Sequence, residues 1–535
     1  MATSRLRGAG VVLTATLSMA AAVVMGTGAT PAGASGPTVT GSGSSWAALA
    51  LDQWVADVSA PQYGSLNVSY STTSSVIGLN EFAQNQVNFG VSEIGYSTGQ
   101  ADNVPPSSDT YQYLPAVGGA DCLMYNVTGD TGQVSSLNLN STVLAGIFTG
   151  TITSWNSPQI QSLNPSVSLP DTPITVVYRT EAAGDNYVFS DYLETLQPGD
   201  WNAYTAKLGT SSGPQAIWPV PQGSGDYSPY NFSSWIGEDG SDNASNYVAG
   251  NSGSITYVET GYANEHGIPC ANVQNASGAY VQPSESNDAV ALEGDQLQPD
   301  LEQNLTGVFT DPSASAYPIS AYGYFITQEG QTPSAIGNVL GVFLKFVACQ
   351  GQRQAGQLGY TPLPPNLVQD DFDAIGRING APPPGPVDAS NCPNPYVTGT
   401  LAPTVGPTVV GQASSTPTSA ATAGGTTSGA AGTTTAAKAA GTGASTTPGA
   451  TASGAAAGTS SAAAPGAPAR GSGTAASLVG AHGGELASAV TGSGSPLSSA
   501  DSILWWTVGF ILLLGIPTAL LVLRRRRRTE SGEPA

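Results

Sequence analysis

Apolar and polar positions between 38 and 93 repeat one unit. Thr38–Thr40 is a short β-favouring run, Gly41–Ser45 is a glycine-serine turn, and Trp46–Val58 has apolar residues at helical offsets. Leu66–Tyr70 is again β-like, Ser71–Ser75 is a hydroxyl-rich turn, Val76–Gln84 is helical, and Val87–Val91 is a third strand ending at Ser92-Glu93. Strand–turn–helix alternation predicts an α/β fold with a mainly parallel sheet. Ligands of such sheets sit at the carboxyl ends of strands, which is where Ser45, Ser75 and Glu93 fall.

The same unit recurs at the centre of the chain. Ile174–Tyr178 is β-branched and apolar, Arg179–Asp185 is a turn, and Asn186–Leu193 places Tyr187, Phe189, Tyr192 and Leu193 at helical offsets. A helix start carries free N–H groups and the positive end of the dipole. A guanidinium such as that of Arg179 suits oxyanions. This turn therefore predicts an anion clamp.

Elsewhere Tyr111–Pro115, Cys122–Val127, Ser254–Val258 and Tyr317–Thr327 read as extended. Val143–Phe148 is apolar. Gln159–Leu163 and Thr260–His266 read as short helices, and Ala335–Gln350 and Leu367–Ile378 as amphipathic ones. Trp201–Ser245 reads as irregular. From 398 to 500 the composition falls to Ala, Gly, Ser, Thr and Pro, which predicts a disordered stalk spanning roughly 50–60 Å.

Both ends carry targeting patterns. Residues 1–34 have Arg5 and Arg7, an apolar run and Ala32-Gly33-Ala34, as in a secretory signal peptide. Residues 503–523 form an apolar segment of 21 residues with Trp505 and Trp506 at its outer end and the basic tail 524–535 behind it. The chain is expected to be secreted and tethered on the extracellular face by this single-pass helix. Cys122, Cys270, Cys349 and Cys392 in a secreted chain suggest two disulfides. Of the three pairings, Cys122–Cys270 with Cys349–Cys392 is favoured, because the first two and last two cysteines fall in different regions.

Only five Lys or Arg lie within 35–397: Arg179, Lys207, Lys345, Arg353 and Arg377. Such an acidic domain excludes nucleic acid as a partner and cannot draw anions by its overall field. An anion site must then work through local N–H groups and Arg179. A Ser–His–Asp triad lacks a suitably placed His, since His266 follows a short helix and His482 lies in the stalk. Glu238-Asp239-Gly240-Ser241-Asp242 resembles part of a calcium loop but lacks the closing Glu, and reads as a polar loop and helix start. No metal or cofactor site is expected.

Several segments together resemble the phosphate-binding component of ABC-type phosphate importers. They are TGSGSSWAALALDQW, VSYSTTSS, VNFGVSE, GIFTGTITSWNSPQIQSLNP, VVYRTEAAGDNYVF and SITYVETGYA, in matching order across roughly 38–380. FLKFVACQGQRQAGQLGYTPLPPNLVQ looks like the actinobacterial branch. The resemblance implies a two-lobed type II periplasmic-binding-protein clamshell. One lobe would combine 37–114 with 317–397, and the other would span 115–316. It implies ligand contacts from Ser45 and Trp46 at the first helix start, Ser75 at the second, Glu93 as acceptor of a ligand proton, and Arg179, Gly184 and Asp185 in the central clamp. Glu181 would be the acidic partner of Arg179. Where the family has D-G-S-G-T, this chain reads Glu181-Ala182-Ala183-Gly184-Asp185. Ala183 thus lacks a hydroxyl, a loss of about 1.5–3 kcal/mol against a charged ligand, and Asp185 brings a like charge.

Plainer roles compete for the same residues. Ser45 and Ser75 are possible helix caps, Glu93 a solvated strand-end acid, and Arg179 a structural partner of Glu181. Asp185 could be a first-turn acid turned away from the cleft. The expectation is a surface solute-binding protein, not an enzyme, that captures phosphate or a related oxyanion for ABC permease subunits in the membrane. The alternative is a surface-displayed adhesion or scaffold protein that keeps the clamshell without transport.

Overall fold

The computed structural model describes residues 36–100, 104–106, 111–402 and 404–411. The expected signal peptide, membrane helix and basic tail lie outside these residues, as does the stalk beyond 411. The described residues form part of one compact unit.

Eight strands build the main sheet: β1 (Val39–Gly43), β2 (Val68–Thr72), β3 (Phe89–Ser92), β4 (Tyr111–Asn126), β5 (Thr175–Arg179), β6 (Trp235–Glu238), β7 (Ser254–Glu259) and β8 (Ser320–Gln328). Their order is β2-β1-β3-β8-β4-β7-β5-β6. The two flanks are parallel, β2-β1-β3 on one side and β7-β5-β6 on the other. The centre is antiparallel, because β8 pairs with β3 and β4, and β4 pairs with β7. The expectation of a mainly parallel sheet therefore holds only at the flanks. The chain passes between its two halves along continuous strands, and a direct return gives antiparallel pairing.

Two large cores sit on this sheet. The first gathers Trp54, Phe82, Phe89, Phe325, Phe343 and Phe372, and the second Phe148, Phe189, Tyr192, Trp201, Trp218 and Tyr257. β4 belongs to both: Tyr113–Val117 lies in the first core, whereas Leu123 and Tyr125 lie in the second. β8 does the same, with Ala321 in the second core and Tyr322 onward in the first. The sixteen residues from Tyr111 to Asn126, expected as two extended pieces, thus form one strand serving both halves.

Four helices begin where parallel strands end: α1 (Ala48–Ser59), α2 (Ser75–Ala83), α3 (Gly184–Leu196) and α4 (Gly240–Gly250). α2 lies close on the sheet because Gly78 has no side chain. A Cβ there would meet the Gly43 Cα at 2.4 Å and the Ser42 carbonyl at 2.6 Å. α5 (Ser334–Ala348) and α6 (Pro365–Arg377) follow the expected amphipathic stretches and bury Leu340, Phe343, Phe372 and Ile375. Each such side chain contributes roughly 1.5–3 kcal/mol.

Two expectations need correction. Trp201–Ser245 is not irregular throughout: a helix over Pro198–Leu208, β6 and the start of α4 occupy it. Its Gly, Ser and Pro content masked three short elements pinned by Trp201, Trp218 and Tyr204, which are buried in the second core. The stalk also starts later than 398, since Thr408–Val409 pairs in parallel with Gln296–Leu297. Both favoured disulfides are present. Cys122–Cys270 ties β4 to the segment after Thr260–His266, and Cys349–Cys392 ties the end of α5 to the following tail.

Candidate functional site

The central turn is held by one amide. Asn186 Nδ2 donates to the carbonyls of Arg179 (3.2 Å), Glu181 (3.0 Å) and Ala216 (2.8 Å). Its Oδ1 accepts from the Tyr257 hydroxyl, which also accepts the Arg179 N–H. Residues 179–186 therefore fold back on the end of β5 and aim the Arg179 side chain inward.

Arg179 is fully buried, and each face of its guanidinium fork meets a partner. Nε donates to Glu181 Oε1 at 2.6 Å, and Nη2 donates to the same oxygen and to Ser45 Oγ at 2.7 Å. Nη1 donates to Ser241 Oγ at 2.9 Å and lies 3.2 Å from Asp185 Oδ2. Ser241 in turn donates to Glu259 Oε1 at 3.0 Å, and Ser45 Oγ lies 3.1 Å from Ser241 Oγ. Three strand ends of the second half (β5, β6 and β7) thus deliver Arg179, Ser241 and Glu259 to one point. The first half adds Ser45, from the turn after β1.

The second contact between the halves lies beside this one. Ser75 Oγ donates to Glu93 Oε2 at 2.7 Å and accepts the Gly184 N–H at 2.8 Å. The start of α3 therefore rests on the start of α2 and the end of β3. Gly184 permits the approach, since a Cβ there would lie 2.2 Å from Glu93 Oε2.

Every expected site residue is in this neighbourhood, but with differing roles. Ser45, Arg179 and Asp185 surround the guanidinium, and Ser75, Glu93 and Gly184 form the adjoining bridge. Asp185 is buried and faces Arg179; it does not turn away as a first-turn acid. Glu181 pairs with Arg179, so that plainer role is also real. Trp46 departs from expectation: its amide N–H goes to Ser44 Oγ, its indole N–H goes to Asp121 Oδ1 at 2.9 Å, and its ring packs edge-on against Tyr360. Both its donors are engaged within the protein, which makes it a holder of Asp121.

Ser241, Glu259, Asp121 and Asn186 were not expected at the site. Glu259 obeys the carboxyl-end rule at β7, a strand expected at Ser254–Val258, whereas Ser241 follows β6, which lies in the stretch read as irregular. Asp121 had a weaker signal, as the acid inside the long apolar run of β4.

The electrostatics are unusual for one cation. Asp121, Glu181, Asp185 and Glu259 feel the charge of Arg179, and Glu93 lies on the other side of Asp185, beside Ser75. Burial, and then Asp185, push the Glu93 carboxyl up to about 7. The same two causes push Asp121 and Glu259 well above the ordinary carboxylate range. Arg179 is held charged, the pull of Asp185 and then Glu181 outweighing burial. A cleft of about 570 Å³ opens beside the cluster. First-half residues Ser45, Asp52 and Thr72 line it, with Glu181, Ser241 and Tyr262 from the second half. Among the described residues, no His/Cys/Asp/Glu group is arranged to hold a metal.

The PBP superfamily domain matches residues 28–350. The chain is 30% identical over 332 residues to the phosphate-binding protein PstS of Xylella fastidiosa, covering 62% of this chain and 83% of that one. It is 30% identical over 341 residues to the phosphate-binding protein PstS 3 of Mycobacterium leprae, covering 61% and 83%. A crystal structure of the phosphate-binding protein from Stenotrophomonas maltophilia is similar at 22% identity, with a TM-score of 0.45, covering 64% of this chain and 97% of that one.

Proposed function

We propose, from the premise that this chain belongs to the PBP superfamily and within it to the PstS-type proteins, that its two halves are the lobes of a clamshell that captures phosphate or a related oxyanion. The observation that carries this reading is the convergence on Arg179. Ser45 from one half and Ser241 from the other both accept from the guanidinium, and the start of α3 meets Ser75 and Glu93 alongside. The first N–H groups of α3 have no intrahelical carbonyl to bond, and the dipole favours an anion there. The lobe boundary falls within β4 and β8, so these two strands are the hinge. Closure brings the Ser45 side to the Arg179 side, and opening exposes both to the cleft.

In this reading no bond is broken; the protein binds, closes and releases. The partner is the permease of an ABC-type importer, which reads the closed form. Secretion by residues 1–34 and a tether at residues 503–523 place the site outside the membrane. Thermal unfolding of the purified protein with phosphate, arsenate, sulfate and chloride tests the assignment. Phosphate and arsenate should each raise the midpoint in wild type and have no effect on Arg179→Met. A response to none of these ions in wild type overturns it.

A further inference from the structure

The polar balance of the site is uneven. Among the described residues, six buried carboxylate oxygens of the site accept no hydrogen bond: Glu93 Oε1, Asp121 Oδ2, Glu181 Oε2, both oxygens of Asp185, and Glu259 Oε2; of these only Asp185 Oδ2 lies in an ion pair, 3.2 Å from Arg179 Nη1. On the donor side, every nitrogen of Arg179 already has a protein partner. A buried acceptor without a donor is costly. What such a site lacks is hydrogen-bond donors, and a fully ionised oxyanion brings none.

We propose, building on the phosphate reading above, that Asp185 makes this site select the doubly protonated, singly charged form of a tetrahedral oxyacid, dihydrogen phosphate or its arsenate counterpart. One ligand hydroxyl donates to Asp185 and a second to Glu93. The remaining ligand oxygens take the N–H groups in the first turn of α3 that follow Gly184, whose own N–H is held by Ser75. Asp185 is thus a specificity-determining residue that reads the protonation state of the ligand. The singly charged form carries two donors and one charge. The doubly charged form carries one donor and a second charge, and must sit among five carboxyls with a single guanidinium, itself paired with Glu181 and Asp185. Sulfate carries two charges and no donor.

The groups around Asp185 all push the same way. Glu93 at the end of β3, Asp121 in β4 and Glu259 at the end of β7 are each raised by burial and then by Asp185. The negative charge of Asp185 acts on Glu259 after burial, and both push its carboxyl up. Arg179 faces Asp185 from its own turn, and Glu181 shares that guanidinium. Tyr257 in β7, Tyr262 in the following helix and Tyr360 after α5 complete the ring of titratable neighbours, and each hydroxyl is held neutral by burial. Arg179 is the one cation among them, so a doubly charged ligand meets no unpaired positive charge. An alkylammonium ligand would also supply donors, but it would lie against the charged guanidinium.

The linkage has a definite sign. The complex holds one more proton than the separate site and hydrogen phosphate, so binding takes up a proton above neutrality. Affinity should then fall about tenfold per pH unit there. Isothermal titration of the purified protein with inorganic phosphate tests this, at about pH 6, 7 and 8 in buffers of different ionisation heat. Wild type should show this slope, an uptake of about one proton near pH 8, and no heat with sulfate. Asp185→Thr and Asp185→Asn each remove the carboxylate, and Glu181 stays on Arg179 in both. Either variant should bind phosphate at pH 8 at least tenfold more tightly than wild type, with a flatter slope. Phosphate binding whose affinity does not change with pH overturns the selection, as does a slope that survives both substitutions. Absence of phosphate heat at every pH in wild type and both variants overturns the phosphate reading itself.

Discussion

Gly184→Ala isolates the contact between the halves from the stability of either half. A methyl group there would lie 2.2 Å from Glu93 Oε2, 2.8 Å from Glu93 Cβ and 3.0 Å from Ser75 Oγ. Ordinary carbon contacts need about 3.5 Å, so the start of α3 must retreat by roughly 1 Å. That retreat stretches the Gly184 N–H bond to Ser75, now 2.8 Å, which is worth about 1 kcal/mol. Overpacking of this kind costs about 1–3 kcal/mol, and the higher helix propensity of alanine offsets up to about 1 kcal/mol. The net effect of about 1–3 kcal/mol falls on closure, because Ser75 and Glu93 belong to one half and α3 to the other. Phosphate affinity by isothermal titration should weaken about 5- to 150-fold, while the thermal midpoint without ligand falls by no more than a few degrees. Unchanged affinity in a folded Gly184→Ala protein would refute the idea that closure is made at this contact.

Other substitutions probe the surrounding framework. Arg179→Met leaves Glu181, Asp185 and Glu259 without their cation, and losing one partner of a buried pair costs about 3–5 kcal/mol. Its thermal midpoint should drop, and drop more at about pH 8 than at about pH 5, where the carboxyls can take protons. Cys349→Ala with Cys392→Ala opens a link across 43 positions, which chain entropy values at about 4 kcal/mol. Denaturant titration should show a loss of that order with the sheet intact by circular dichroism. The wild-type protein should itself be acid-stable. Glu93 and Asp295 are raised to about 7, mainly by burial, and Asp288 and Asp371 are raised well above their ordinary range for the same reason. Raised carboxyls bind more protons folded than unfolded, so their stability contribution is greatest below their unfolded values near 4. It falls as pH rises through about 7. Calorimetric midpoints should therefore be higher at about pH 5 than at about pH 8, and the opposite order would contradict the burial of these acids.

Local pattern was informative wherever one short segment set its own structure. The units before Glu93, the turn after Ile174 and the helix Thr260–His266 follow from apolar periodicity and turn residues, and the structure places each within a few residues of expectation. Two kinds of feature were hidden. The antiparallel centre of the sheet depends on β4 and β8 running through both cores, which no local window contains. Residues such as Trp201 and Trp218 organise a Gly-, Ser- and Pro-rich segment only by burial against the distant helix α3. At the site, Ser45, Ser75, Glu93 and Arg179 stood at element ends and were legible. Ser241 meets the guanidinium from the start of α4 and Glu259 meets Ser241 from the end of β7, and their joint role appears only when the sheet is assembled. Trp46 shows the reverse case: its position beside Ser45 is local, yet Asp121 and Tyr360 decide that its ring packs inward.

The convergence of the two halves on one anion is tested most directly by locating the anion itself. Crystals of the protein grown with arsenate, measured at the arsenic absorption edge, should show one strong anomalous peak between Ser45, Glu93, Arg179 and the start of α3. A peak outside that cluster, or none at saturating arsenate, would contradict it.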